Sequence, residues 1–191
     1  GSDNSARYFN YYFGKYPHLI RSNRTSVAIL QVDESTADLQ ALGADIFDYF
    51  GLGCRNVSKV FVKNQGQLTD LLDALEPFSW VANHHKYFNN YEYNKSIYLV
   101  NRTPHLDNGF LLLKESTDLV SPIGVLFYEI YSEEHELKTK LKDLDAKIQC
   151  VVGNPTMDLR GIISFGQTQC PQPWDYADGV DTLQFLSSLG D

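Results

Sequence analysis

Apolar and polar positions divide the chain into short runs of two kinds. "SARYFNYYF" (5–13) places Tyr8, Phe9, Tyr12 and Phe13 on one helical face. "SVAILQV" (26–32) is a β-branched run and predicts a buried strand. "STADLQALGADIFDYFG" predicts a helix. Ser35 and Asp38 make a capping box, and Leu39, Leu42, Ile46, Phe47 and Phe50 form a stripe near the 3.6-residue period. Gly51 or Gly53 is expected to end that helix just past its C-cap. "SKVFVK" (58–63) is the next strand, and "QLTDLLDALEPF" a second amphipathic helix stopped by Pro77. The aromatics of "VANHHKYFNNYEYNKSIYLVN" fit either a helix or an irregular binding segment. The apolar runs "GFLLLKE" and "IGVLFYEIY" follow, then the charged helix "SEEHELKTKLKDL" and the strand "KIQCVVG". "GIISFG" is a last short strand and "GVDTLQFLSSLG" a last helix. Strands alternating with helices predict an α/β fold with a mainly parallel sheet and flanking helices.

Composition narrows the function classes. The 191 residues suffice for one domain with a substantial core. There are 24 acidic against 16 basic residues, a net charge of -8, and acids flank the longest basic cluster, "KTKLK". That balance argues against a nucleic-acid partner, which needs a basic face. No apolar run reaches the roughly 18 residues of a membrane span, and the first residues do not read as a signal peptide. Three widely spaced cysteines (54, 150, 170) make no disulfide framework. A cytoplasmic location is therefore expected, with the sequons at Asn23, Asn56, Asn94 and Asn101 as chance matches.

The candidate chemistry gathers at Cys54. An isolated cysteine is by default a small core residue, but this one lies between a helix and a strand behind Gly51-Leu52-Gly53. Glycine lets a turn tighten and lets backbone approach a ligand closely. The carboxyl edge of a sheet crevice, where open α/β folds hold ligands, is the expected place for such a turn. Arg55 would favour the thiolate and the preceding helix C-terminus would oppose it. Cys150 lies inside a strand and reads as inert core, and Cys170 lies in a loop without an activating partner. There is no G-x-S-x-G for a serine hydrolase, and the adjacent His84 and His85 lack zinc-ligand spacing. "NHHKYFNNYEYN" is either a polar-aromatic surface or a wall for an acyl or nucleotide group.

"YFGLGCRNVSKVFV" resembles the catalytic-cysteine segment of the aldehyde dehydrogenase superfamily. "GSDNSARYFNYYFGKYPHLIRSNRTSVAIL", "HHKYFNNYEYN", "LDNGFLLLKES", "SPIGVLFYE" and "DYADGVDTLQFL" are similar, more narrowly, to the acyl-CoA reductase family. That family includes the reductase subunit of the fatty acid reductase complex of luminous bacteria. These stretches run from end to end of the chain.

The resemblance implies an aldehyde-dehydrogenase-like catalytic domain over 1–191 that carries the cysteine half alone, with a cofactor-binding half preceding residue 1. Cys54 would be the nucleophile that takes the acyl group of a fatty acyl-CoA or acyl-protein thioester, and NADPH would reduce the acyl-enzyme to aldehyde. The Cys54 N–H is one candidate oxyanion donor. "GSDNSARYF" is similar to the superfamily's T-G-S turn, so Gly1 and Ser2 are either that turn near the nicotinamide or a cloning remnant. Ser121, in "SPIGVL", stands where an E-x-F-G-P motif has the glutamate that holds a nicotinamide ribose. "NRTSVAIL" stands where oxidising members carry a general base in Leu-Glu-Leu-Gly-Gly, and it has no carboxylate. Glu115 is the alternative base. A homo-oligomer or association with other reductase-complex subunits is implied as well. The competing readings are a non-catalytic acyl- or CoA-binding module and a cysteine acyltransferase without a redox step.

Overall fold

Every position of the run at 25–29 is buried, which marks it as a central strand covered on both faces. The computed structural model describes residues 3–21, 23–157, 159, 161–176 and 179–189. Its elements are α1 (Asp3–Phe13), β1 (Thr25–Ile29), α2 (Thr36–Phe47), β2 (Val57–Val62), α3 (Gly66–Ala74), α4 (His85–Val100), β3 (Leu106–Asp107), β4 (Leu112–Glu115), β5 (Val125–Ile130), α5 (Glu134–Asp143), β6 (Ile148–Val152), β7 (Ile162–Ile163) and α6 (Thr182–Ser187). They form two units, Thr25–Gln169 and Gly1–Arg24 with Cys170–Asp191.

The larger unit is a seven-stranded sheet of order β3-β4-β5-β2-β1-β6-β7. Every pairing is parallel except β3 with β4. Ala28, Val60 and Leu126 face one core with Leu42 and Phe47 of α2 and Leu68 and Leu71 of α3. Val27, Ile29 and Phe61 face the other with Leu137 and Leu141 of α5. Tyr91 and Tyr98 of α4 cover Leu112, Val125 and Phe127. Helices thus flank both faces of a mainly parallel sheet, as the alternating pattern predicts.

Two expectations about chain breaks are corrected. Helix α2 ends at Phe47, not at a glycine, and a 3-10 turn, Asp48–Gly51, follows it. Within that turn Tyr49 (φ 53), Phe50 (φ 58) and Gly51 (φ 73) are all left-handed. Such φ values are unfavourable for large side chains, and the contacts that hold them belong to the site described below. Pro77 does not stop α3, which ends at Ala74. It opens the following 3-10 segment, Glu76–Asn83, where its missing N–H costs no helical bond.

In the smaller unit, Asp181 caps α6 by accepting hydrogen bonds from the N–H groups of Leu183 and Gln184, both 3.0 Å. Arg21 donates to the Thr182 hydroxyl at 3.1 Å. Helix α1 carries the predicted aromatic stripe, and its rings are exposed.

Candidate active site

In a parallel sheet, every helix-to-strand turn falls at the amino ends of the strands. Cys54 lies in such a turn, between α2 and β2, so it sits at the amino edge of the sheet and not at the carboxyl edge. The expectation from open α/β folds is overturned by this connection order.

Four side chains hold the turn. The Asn56 amide nitrogen lies 3.1, 3.4 and 2.8 Å from the carbonyls of Asp45, Ile46 and Asp48, the unpaired acceptors at the end of α2. Its Oδ1 accepts from Gly53 N–H at 2.8 Å, and its own N–H returns to the Gly53 carbonyl at 3.1 Å. Ser26 of β1 donates to the Cys54 carbonyl at 2.9 Å. Arg55 donates to the Thr168 carbonyl at 3.0 Å. The buried Asp45 carboxylate takes the N–H groups of Gly166 (2.6 Å) and Thr168 (3.0 Å) and the Thr168 hydroxyl (2.8 Å). Burial pushes the Asp45 carboxyl up, against those three bonds. Upstream, Phe50 stacks on His84 with ring centroids 3.9 Å apart, which holds the left-handed residues.

This geometry accounts for both glycines. Gly51 is the third left-handed residue in succession. A Cβ on Gly53 would stand 2.9 Å from Asn56 Oδ1, inside contact distance, and would displace the amide that closes the turn. Cys54 itself is exposed. Its N–H meets no acceptor among the described residues, which leaves a backbone donor beside the thiol.

The remaining sequence-predicted residues divide. Arg55 does not serve Cys54 as expected. Its guanidinium is turned to Thr168 and stands 3.5 Å from the Cys150 sulfur. Cys150 is buried in β6, and burial pushes its thiol up, against a Ser26 hydrogen bond and the Arg55 charge. Cys170 is exposed and belongs to the smaller unit. Glu115 fails as the alternative base. It pairs with Tyr128, which pairs with Val60, so it lies two strands from β2 and three residues beyond Val57. At strand spacings of roughly 3.3 Å along and 4.8 Å across, that is far outside hydrogen-bond reach.

Ser121 lies in the return from β4 to β5 and lines a cavity of ≈30 Å³ with Phe50, Gly51, Val57 and Tyr87. It therefore shares a wall with the residues flanking Cys54. The space fits about one water and no acyl chain. Of the aromatic segment 83–94, only Tyr87 reaches this wall. The return itself is pinned from β2. Ser58 donates to the Leu119 carbonyl at 2.7 Å, and Lys59, buried without exposure, donates to the Ser116 carbonyl at 2.8 Å. Lys59 also pairs with Glu129 at 2.6 Å, and Glu129 pairs in turn with Lys140. Burial pulls the Lys59 ammonium down, against Glu129.

The residues expected near a nicotinamide cofactor are Gly1, Ser2 and Ser121. Gly1 and Ser2 lie outside the described residues. The Ser121 hydroxyl donates to the Val125 carbonyl at 2.6 Å and offers no carboxylate to a ribose. Among the described residues, no three His, Cys, Asp or Glu side chains converge as metal ligands, and no helix is long and apolar enough to cross a membrane.

The sequence reading missed Asn56, Ser26, Asp45 and Thr168. Asn56 and Ser58 were visible only as a sequon. Asn56 is buried, in keeping with a chance match.

No sequence-family profile and no curated protein sequence matches the chain. Solved structures do. An indole-3-acetaldehyde dehydrogenase complexed with NAD+ superposes with a TM-score of 0.55 at 11% identity, over 83% of this chain and 39% of that one. A Sinorhizobium meliloti protein described as a methylmalonate-semialdehyde dehydrogenase, complexed with NAD, gives 0.54 at 15% identity, over 83% and 40%. A P. syringae indole-3-acetaldehyde dehydrogenase with NAD+ and IAA gives 0.54 at 10% identity, over 83% and 39%. The chain spans about two-fifths of the length of each neighbour. In fold, this chain is aldehyde-dehydrogenase-like.

Proposed function

We propose that this chain is the cysteine-bearing part of a fatty acyl-CoA reductase, with Cys54 as the acyl-accepting nucleophile. The observation that carries the reading is the fixed, exposed Cys54 turn with its unpaired N–H, set on an aldehyde-dehydrogenase-like sheet. The Cys54 sulfur attacks the thioester carbonyl. A carbon–sulfur bond to Cys54 forms, the bond to CoA breaks, and CoA leaves as the thiol with the proton Cys54 lost. The exchange is redox-neutral and close to balanced, and the Cys54 N–H supports the oxyanion. Reduction of the acyl group to aldehyde draws on NADPH, and the residues that bind it belong to a cofactor half preceding residue 1.

Ser26 supports the acyl-transfer assignment. It occupies the segment where an oxidising enzyme has its carboxylate base, and its hydroxyl is bonded to the Cys54 carbonyl. Nothing at that position activates water, so the acyl-enzyme is expected to persist. A second reading, acyl transfer through Cys54 without reduction, is favoured by the poor fit of Ser121 to a ribose. The test is a trapped acyl-enzyme freed of excess acyl-CoA. Slow loss of label in buffer and rapid loss to added thiol are expected. Rapid loss in buffer alone contradicts both readings. Reduction of the trapped acyl group by NADPH, once the cofactor half is supplied, separates the first reading from the second.

A further inference from the structure

Lys59 takes a cationic side chain into the interior, with an exposure of 0%. Its ammonium meets Glu129 at 2.6 Å and stands 5.1 Å from the centre of the Phe61 ring. Glu129 does not depend on it, because Lys140 of α5 pairs with the same carboxylate. A buried ion pair is a poor source of stability, since desolvation offsets the attraction. The ammonium has a further contact. It donates to the Ser116 carbonyl at 2.8 Å, where β4 gives way to the return that leads to β5. Asp118 of the same return adds its attraction.

We propose that Lys59 is a positioning residue: by fixing this return it fixes the wall on which the Cys54 turn rests. Its use in catalysis rests on the reading of Cys54 as acyl acceptor. The return is held at three points. Lys59 holds its start, and the neighbouring Ser58 holds the Leu119 carbonyl at 2.7 Å. Its far end is Gly124 (φ 80), where an added Cβ would lie 2.8 Å from the Tyr91 Cα, so the backbone of α4 backs it closely. Between the second and third points lie Ser121, Pro122 and Ile123, which line the small cavity with Phe50 and Gly51. A Cβ on Gly51 would stand 3.8 Å from Ile123 Cδ1, so the two segments are in van der Waals reach.

Phe50 and Gly51 are left-handed and need support from outside the turn. His84 supplies it by stacking on Phe50, and the return supplies it beside Gly51. A return free to shift would let the turn drift, and the Cys54 N–H and thiol with it. A misplacement of about 1 Å can cost on the order of 100-fold in rate. Lys59→Met isolates this effect. Methionine keeps the length of the side chain, and Glu129 stays paired with Lys140, so no charge is stranded. What disappears is the donor to Ser116.

Amide hydrogen exchange and acylation of Cys54 by a long-chain acyl-CoA, both measured on the 191-residue chain, test this. In Lys59→Met, exchange should rise in 116–123 and in 50–54 and stay at the wild-type level in the helices. The maximal acylation rate should fall roughly 10-fold. The half-saturating acyl-CoA concentration and the iodoacetamide rate should hardly move. Ser58→Ala removes the Leu119 anchor and should show the same pattern, so it carries the test if Lys59→Met does not fold. Lys140→Met disturbs the same ion network without touching the return and should match wild type in exchange and acylation. Unchanged exchange at 50–54 in Lys59→Met and Ser58→Ala, or a Lys140→Met chain that behaves as they do, would overturn the proposal. A wild-type chain that takes no acyl group would overturn the acyl-transfer reading instead, and exchange at 50–54 would still decide whether Lys59 positions the turn.

Discussion

Asn56 carries a large share of the Cys54 turn. One amide joins the end of α2 to the start of the turn, at Asp45, Ile46 and Asp48 through its nitrogen and at Gly53 through its oxygen. Asn56→Ala leaves several buried backbone groups without partners, and a loss of roughly 2–3 kcal/mol of stability is expected from the urea midpoint. Asn56→Asp keeps an acceptor for Gly53 but turns a carboxylate toward three carbonyls, so it should be no better. If the turn positions the thiol, acylation of Cys54 by acyl-CoA should fall roughly 10- to 100-fold in both variants. Alkylation by iodoacetamide, which needs only access, should hardly change. Equal losses in the two reactions would reduce Asn56 to a structural role. None of this was legible in the sequence. A side chain that bonds backbone eight to eleven residues away leaves no periodicity, and Asn56 is marked there only by a sequon. The glycines and the thiol were legible, because close approach and positive φ restrict the residue type.

At the scale of elements, local signals were read well and longer-range ones poorly. The Ser35–Asp38 capping box forms as expected, because both partners lie within one turn. The buried strand run is β1. Helix α4 was ambiguous because its buried tyrosines, Tyr87, Tyr91 and Tyr98, are interspersed with exposed Tyr93 and Leu99. Strand β3 escaped notice because it has two residues and rests on a side-chain network. Asp107 accepts from Tyr91 at 2.7 Å and from Gly109 N–H at 2.8 Å, and pairs with Lys95 at 2.8 Å. Burial raises the Asp107 carboxyl, but Lys95, Tyr91 and Gly109 outweigh it and hold the group below its ordinary 3.8. A depressed carboxyl stabilises the fold above its unfolded value, and that contribution disappears as pH falls through the folded value. The stability difference between wild type and Asp107→Asn should therefore be constant near neutrality and shrink below about pH 3.8. A difference that grew on acidification would contradict the assigned pairing.

For the whole molecule, the α/β class and the mainly parallel sheet followed from the alternation of runs. The edge that carries Cys54 did not, because the rule that ligands sit at carboxyl ends was applied to a helix-to-strand turn. The proposed function divides the labour: acyl transfer is local to this chain and the dinucleotide is bound elsewhere. These 191 residues alone should then oxidise no NADPH in the presence of acyl-CoA, as followed by absorbance, while still accepting the acyl group. Acyl-CoA-dependent NADPH oxidation by the chain alone would place the cofactor site within it. The central claim is that Cys54 takes the acyl group, and the direct measurement is the position of the label. After incubation with a radiolabelled long-chain acyl-CoA and digestion, a single labelled peptide containing Cys54 is expected, and none from Cys54→Ala. Label that persists in Cys54→Ala, or that lies on Cys150 or Cys170, would contradict it.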